Sequence, residues 1–453
     1  EAIKYYEKAS QIEPNNFYLL NRLGECSISN SEFSAAIKYL TDATGIEGDN
    51  SRTLFSLGRA YQSIGELEKA LSNYKKSMDS DVTFSEAEKS YKFLLLNIPK
   101  MSSDDLLDAH VQIGNRYIRK PNNKHRTRSF SRDKNKKLKI GFVSSDFRTH
   151  VVALNILPLI RNIDRHYFSI HLFSDVNTPD DLTLIFQENC DQWCDITKLK
   201  DHEVAKKIGS LDIDIVLYLA GRFDGNRPEI ASYRPAPVQI SYHDCATTGL
   251  PEMDYWLTDN LLNPDKTEEK FTERLYRLPF FYQFESAKYI PQLNLPKLDL
   301  APSQKSKLIT FGCLNKPEKI NDFVVESWAR ILQSVPNSQL LLKYFDHYSD
   351  PTISSLILGK FRQYDILPDR LLLKRGIASH LNHMEILGEI DIALDTFPFN
   401  GATTTIEALK MGVPVISFWG KHFVDRVGAT LTTQAGFPEL AAGSIDEYVN
   451  IAV

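Results

Sequence analysis

A 34-residue period runs through the first hundred residues, and a fixed period narrows the possible folds more than any other sequence feature. Leu23 and Gly24 recur as Leu57 and Gly58; Ala2, Ala36 and Ala70 share a phase, as do Ala9 and Ala43. Tyr6, Leu40 and Tyr74 hold an equivalent large position. Units end at Pro14, Gly48 and Val82, and Asn16 and Asn50 open the next turns. Small residues at one phase and large ones at another suit two antiparallel helices at close approach. Such a unit cannot bury its apolar face alone and stacks on neighbours. Residues 1–100 are thus expected to be all-α. The first unit is only a second helix, so further repeats are expected before Glu1.

The units resemble the tetratricopeptide repeat. Leu57-Gly58-x-x-Tyr61 with Gly65, Ala70 and Tyr74 matches well, while Ser27 replaces the aromatic of the middle unit. The resemblance implies a concave surface for extended peptides. That means selection of a partner or substrate, not chemistry.

The rest of the 453 residues has another texture. Residues 101–137 read as a helical, basic linker, and the charge between Arg119 and Lys137 reads as a solvated stretch. Short β-rich runs then alternate with helical patterns, which implies βαβ units and parallel sheets. The runs are Leu138 to Ser144, Phe168 to Asp175, Asp214 to Leu219 and Val238 to Tyr242. The pattern restarts after Pro302 with Leu308 to Gly312, Gln339 to Tyr344, Leu371 to Lys374, Ile390 to Asp395 and Pro414 to Phe418. Two Rossmann-like α/β halves are expected, over 138–300 and 301–453, with a cleft between them. Their ligands belong at the carboxyl ends of the strands. The chain begins at Glu1 rather than Met and stops within a helical-looking stretch at Val453, so it reads as a fragment with a truncated last domain.

Composition excludes some classes. Hydrophobic residues make up 42% and charged residues 25%, as in ordinary globular chains, and the net charge of −5 does not point to nucleic acid. No apolar run approaches the ~18 residues of a membrane span. The five cysteines are few, odd in number and scattered, which argues for a reducing, cytoplasmic compartment. Cys190 and Cys194 have no second pair behind them, so two unrelated thiols is the simpler reading than zinc. Asp212-x-Asp214 resembles a metal-binding pair but sits at the wrong end of its strand. No metal site is expected.

The strand-end loops lack G-x-G-x-x-G, G-x-x-x-x-G-K-[ST] and G-x-S-x-G, which removes support for dinucleotide oxidoreductases, P-loop NTPases and α/β-hydrolases. One loop stands out. After the strand ending at Asp395, Pro398, Asn400 and Gly401 make a turn and Thr403, Thr404 and Thr405 open a helix. Helix N-termini favour a pyrophosphate. Glu407, one turn in, is placed for ribose hydroxyls. The simpler alternative is a threonine-capped helix with an acid in its first turns.

Asp395-Thr-Phe-Pro-Phe-Asn-Gly-Ala-Thr-Thr-Thr-Ile-Glu-Ala-Leu409 looks like the donor motif of the protein O-GlcNAc transferase family, glycosyltransferase family 41. Gly141-Phe-Val-Ser-Ser-Asp-Phe-Arg-Thr-His150, Arg234-Pro-Ala-Pro-Val-Gln239, Ala246-Thr-Thr-Gly-Leu250, Met253-Asp-Tyr255 and Phe311-Gly-Cys-Leu-Asn315 with Lys319 are similar to its other motifs. The order and spacing hold over roughly residues 1–450, with the texture of bacterial members. The resemblance implies a GT-B fold and inverting transfer of N-acetylglucosamine from UDP-GlcNAc to protein Ser/Thr hydroxyls, with no cofactor or required metal. It implies that Lys319 stabilises the leaving diphosphate. Asn315 falls in the donor site, Asn400, Gly401, Thr403 and Thr404 hold the phosphates, and Glu407 holds the ribose. Ala378 and His383 would flank the uracil. His150 would stand at the sugar and acceptor side, as general base or as a group that orients the acceptor.

Three positions depart from bacterial relatives. Gly221-Arg222-Phe223 replaces Gly-His-Thr, His243-Asp244-Cys245 replaces Leu-Gly-Tyr-Pro, and Ala402 replaces glycine or histidine. These changes keep open another donor or acceptor (UDP-glucose, GDP-fucose or N-glycosylation of Asn). A different class also stays open, an inactive repeat scaffold.

Overall fold

The computed structural model describes residues 2–117, 136–223, 225–283, 301–376 and 380–453. The described residues form two compact units. One comprises those of Glu1–Lys100, Leu295–Gly420 and Val424–Val453; the other, those of Met101–Asn294 and Lys421–Phe423. The basic run from Arg119 to Asn135 and the expected domain boundary at 300 lie outside the described residues.

The first unit opens with helices Ala2–Ile12 (α1), Phe17–Ser29 (α2), Phe33–Glu47 (α3), Ser51–Ser63 (α4), Leu67–Ser80 (α5) and Ser85–Leu95 (α6). Asn16 and Asn50 are the N-caps of α2 and α4, accepting from Leu19 N at 3.1 Å and Thr53 N at 3.2 Å. The recurring glycine is a packing requirement. A Cβ on Gly24 would lie 2.4 Å from Leu40 Cγ, and one on Gly58 2.6 Å from Tyr74 Cε1. The large residue of each second helix sits on bare backbone of the first.

The second unit is built on a parallel sheet of seven strands: Leu138–Ser144 (β1), Phe168–Ser174 (β2), Gln192–Asp195 (β3), Ile215–Leu219 (β4), Val238–Tyr242 (β5), Tyr255–Asp259 (β6) and Arg274–Leu278 (β7). Their spatial order is β3-β2-β1-β4-β5-β6-β7. Residues Ser103–Gly114, expected within a linker, form a helix (α7) packed into this unit. A Cβ on its Gly114 would lie 2.1 Å from Gly249 O.

The first unit also holds a parallel sheet, of six strands: Ile309–Cys313 (β8), Ser338–Lys343 (β9), Leu371–Lys374 (β10), Ile392–Leu394 (β11), Val415–Phe418 (β12) and Ala441–Ala442 (β13). They are ordered β10-β9-β8-β11-β12-β13. The repeats share the core of this sheet: Ile28, Phe33, Ala36, Leu40, Leu57 and Ala60 belong to one buried cluster with Phe311, Trp328, Leu340, Leu342 and Tyr448. Phe33 N donates to Asp350 Oδ2 at 2.8 Å, a further tie between the two parts.

Strands β3, β6, β7 and β13 were not expected from sequence. They are short or half-polar: β7 alternates Arg274, Tyr276 and Leu278 with Leu275 and Arg277 and is partly exposed. A buried parallel strand such as β4 reads instead as one apolar run.

Each sheet has the order 3-2-1-4-5-6 when its strands are counted from its own first strand, with parallel pairing throughout and β7 extending the larger one. That is the Rossmann order, in which ligand loops gather where the strand order reverses. In the first unit those loops follow β8 and β11.

Candidate active site

The loop after β11 is wound around a buried carboxylate. Asp395, 2% exposed, accepts from Gly401 N at 2.7 Å, Thr396 N at 2.9 Å and Ser417 Oγ at 2.7 Å. Burial pushes its carboxyl up to about 6, against the pull of those donors and of the Lys319 charge. A Cβ on Gly428 would sit 1.9 Å from Asp395 Oδ2, so glycine there makes room for the carboxylate.

Asn400 completes the turn from within. Its Nδ2 donates to Thr396 O at 2.7 Å and its Oδ1 accepts from Gly428 N at 3.1 Å. With 1% of its surface exposed, its side chain is spent on the fold. The resemblance implies a phosphate-holding role for Asn400; in the structure its side chain faces the turn. Its carbonyl serves the lysine instead, since Lys319 Nζ donates to Asn400 O at 2.8 Å. The same ammonium lies 4.1 Å from the centre of the Phe399 ring.

Helix Thr403–Lys410 (α15 in chain order, after Val151–Asn162, Asp181–Glu188, Asp201–Ser210, Pro302–Ser306, Asp322–Ser334, Pro351–Arg362 and His380–Leu387) begins here. Its N-cap is Ala402, with no side-chain cap. The threonine-capped alternative therefore fails. Thr405 Oγ1 donates back to Gly401 O at 2.9 Å, and Thr404 Oγ1 donates to Asn315 Oδ1 at 3.1 Å. Asn315, just past β8, also reaches Asp395 Oδ1 at 3.4 Å. Glycine at 401 answers to these neighbours: a Cβ would meet Thr404 Oγ1 at 2.2 Å and Asn315 Nδ2 at 3.0 Å.

The structure thus brings together Asn315, Lys319, Asn400, Gly401 and Thr404, with Thr403 and Glu407 half-buried on the same helix. An ammonium beside a helix N-terminus favours a polyanion. Ala378 lies outside the described residues. His383 falls on helix His380–Leu387, with its side chain outside them.

His150 belongs to the other unit. It is the N-cap of helix Val151–Asn162, where its Nδ1 accepts from Val152 N at 3.3 Å. Asp146 Oδ2 stands 3.7 Å from the same nitrogen, and the side chain is 22% exposed. A ring whose Nδ1 accepts carries its neutral-form proton on Nε2. Of the pair that resembles a metal site, Asp214 has a structural use: its Oδ2 accepts from Lys139 N at 3.0 Å.

Sequence reasoning gave no role to Asn226. Its Oδ1 accepts from Ser145 N at 2.8 Å and its Nδ2 donates to Asp146 Oδ2 at 2.8 Å, lacing the loops after β1 and β4. Two departures from bacterial relatives turn out to be one feature. Arg222 Nε donates to Asp244 Oδ1, and both side chains are buried. The guanidinium also reaches His110 Nε2 at 2.8 Å and Ala246 O at 2.6 Å. The exchange of two residues far apart in sequence was a visible signal; their pairing was not.

Two Rossmann-type sheets, one with a strand-end loop braced by a lysine, are the architecture of GT-B glycosyltransferases. The chain belongs to glycosyl transferase family 41, whose profile matches residues 111–295 and 302–453; a tetratricopeptide-repeat profile matches 51–81. It is similar to a probable UDP-N-acetylglucosamine–peptide N-acetylglucosaminyltransferase SPINDLY of Petunia hybrida, 33% identical over 80% of this chain and 39% of the relative. It is also similar to the probable SEC transferase of Arabidopsis thaliana, 29% identical over 70% of this chain and 33% of the relative. The chain thus spans about two fifths or less of the length of these curated relatives. A solved structure of a mutant O-GlcNAc transferase from Thermobaculum terrenum superposes with a TM-score of 0.87 at 27% identity, covering 99% of this chain and 85% of that one. No helix among the described residues is long and apolar enough to cross a membrane.

Proposed function

We propose that the chain transfers N-acetylglucosamine from UDP-GlcNAc to serine or threonine hydroxyls of proteins, with inversion. The observation that carries the reading is the Lys319 ammonium held against the Asp395-anchored loop at the start of an uncapped helix. The acceptor hydroxyl oxygen bonds to the anomeric carbon as the bond from that carbon to the diphosphate oxygen breaks. Negative charge grows on the β-phosphate, where Lys319 and the first-turn amides of the Thr403 helix stabilise it. With that charge supplied by the protein, the reaction needs no metal or other cofactor. Glu407 holds the ribose, and Ala378 and His383 flank the base. His150, its Nδ1 engaged by the helix, orients the acceptor through Nε2, and the hydroxyl proton passes to solvent or to a base at the acceptor side. The repeats guide a protein or peptide acceptor, and the scattered thiols suit a reducing cytoplasm. The names of the relatives support both donor and acceptor.

The buried Arg222–Asp244 pair favours a second reading, in which the same fold takes another donor sugar. Incubating the full chain with UDP-GlcNAc, UDP-glucose and GDP-fucose, and measuring nucleoside diphosphate release with acceptor protein, tests both. Release with UDP-GlcNAc is expected. Release with only one of the others would replace the donor and keep the site.

A further inference from the structure

The repeat segment is expected to select partners and leave chemistry to the α/β halves. Contacts inside the first unit give it a second role. We propose that Gln62 of α4 and Phe93 of α6 are positioning residues for Lys319, which makes the helices of residues 1–100 a structural part of the diphosphate site. This rests on the reading of Lys319 as the diphosphate ligand.

One line of contacts fixes the backbone that carries the lysine. The turn Pro317–Lys319 is closed by Lys319 N donating to Lys316 O at 3.0 Å and Ile320 N to Pro317 O at 2.9 Å. Glu318, inside that turn and 7% exposed, accepts from Gln62 Nε2 at 2.9 Å. Gln62 is itself oriented, because its Oε1 accepts from Tyr74 Oη at 2.7 Å. A phenol donating to the amide oxygen turns the amide NH2 toward the carboxylate. Tyr74 is the large residue seated on Gly58. The 34-residue period therefore runs by direct contact from Gly58 through Tyr74, Gln62 and Glu318 to Lys319.

A second line fixes the ammonium end. The Phe399 ring beneath Lys319 Nζ is met by the Phe93 ring, with centroids 5.3 Å apart and planes at 53°. Lys316 Nζ stands 5.3 Å over Phe93. A lysine side chain has many rotamers to lose, so its charge is preorganised only where turn and ring are themselves held. Both supports come from residues 62 and 93, far from the donor motif in sequence.

The test uses the full chain with Gln62→Leu, Phe93→Leu and Phe93→Tyr. Two quantities are read below the melting temperature of every variant: the dissociation constant for UDP by calorimetry, and the ¹³C resonance of reductively methylated Lys319, assigned by its loss in Lys319→Arg. In both leucine variants the resonance should move and UDP binding should weaken about three- to thirty-fold, the range of a buried cation–ring contact. Phe93→Tyr, which keeps the ring, should restore both. An unmoved resonance overturns the proposal, and so does UDP affinity that ignores a moved one. If the parent chain does not bind UDP, the diphosphate reading fails instead, and the resonance alone decides the positioning.

Discussion

Asp395 shows how one residue can matter to a site without facing a ligand. Three donors and the neighbouring lysine favour its charged form, yet burial outweighs them and lifts it to about 6. Because this lies above the ordinary 3.8, the group's contribution to stability is full below about 3.8 and is lost as pH rises through about 6. The loop needs the opposite: a protonated carboxyl gives up acceptor capacity either at Oδ1, which takes Gly401 N and Thr396 N, or at Oδ2, which takes Ser417 Oγ. Affinity for UDP-GlcNAc is expected to fall below pH 6, measured by titration calorimetry. In Asp395→Asn it should be weaker by about ten-fold at neutral pH and flat with pH, since one buried donor loses its acceptor at about 1–3 kcal/mol. A wild-type affinity flat from pH 5 to 8 would contradict this. The motif made Gly401 and Thr404 legible in sequence, because residue types suited to phosphate stand at a strand end, and it brought in Lys319 only through the family resemblance. It hid the inward turn of Asn400, since an amide beside a phosphate loop reads the same whether it faces ligand or core. Arg222 with Asp244 was legible only as two separate oddities.

At the scale of elements, period and burial decide what is readable. The repeat helices were legible because glycine and large residues recur in fixed phase, and the structure supplies the reason in Leu40 and Tyr74. Gly58→Ala would press a methyl against Tyr74 and should cost about 1–3 kcal/mol, the range of core overpacking. Gly45, on the exposed side of α3, meets nothing within 4 Å. Gly45→Ala should therefore stabilise by about 0.5–1 kcal/mol, through helix propensity alone. Urea denaturation of both variants checks the pair, and equal shifts of one sign would contradict the packing account. Strands β1, β2, β4 and β5 announced themselves as apolar runs. Strands β6 and β7 did not: β7 lies at the sheet edge and keeps Arg274 and Arg277, and β6 ends in the polar Thr258 and Asp259.

At the scale of the molecule, the sequence reading divides repeats from catalytic halves, whereas the repeats and the last sheet share one buried core. Leu40→Ala should then loosen more than the repeats. A buried leucine truncated to alanine costs about 2–5 kcal/mol, and hydrogen exchange at Leu340, Leu341 and Leu342 of β9 should accelerate along with exchange in α3. Acceleration confined to α2–α5 would mean that the two parts unfold independently. A shared core is invisible to periodicity, which reports that a face is apolar but not which partner covers it.

The proposed chemistry stands or falls on Lys319 and the loop after β11 holding the diphosphate of a sugar donor. The decisive comparison is steady-state turnover of UDP-GlcNAc by the full chain and by its Lys319→Ala variant. Turnover should drop by about 10²–10³, as when a charge-stabilising donor is removed, with an unchanged circular dichroism spectrum. Equal turnover by the two proteins would contradict it.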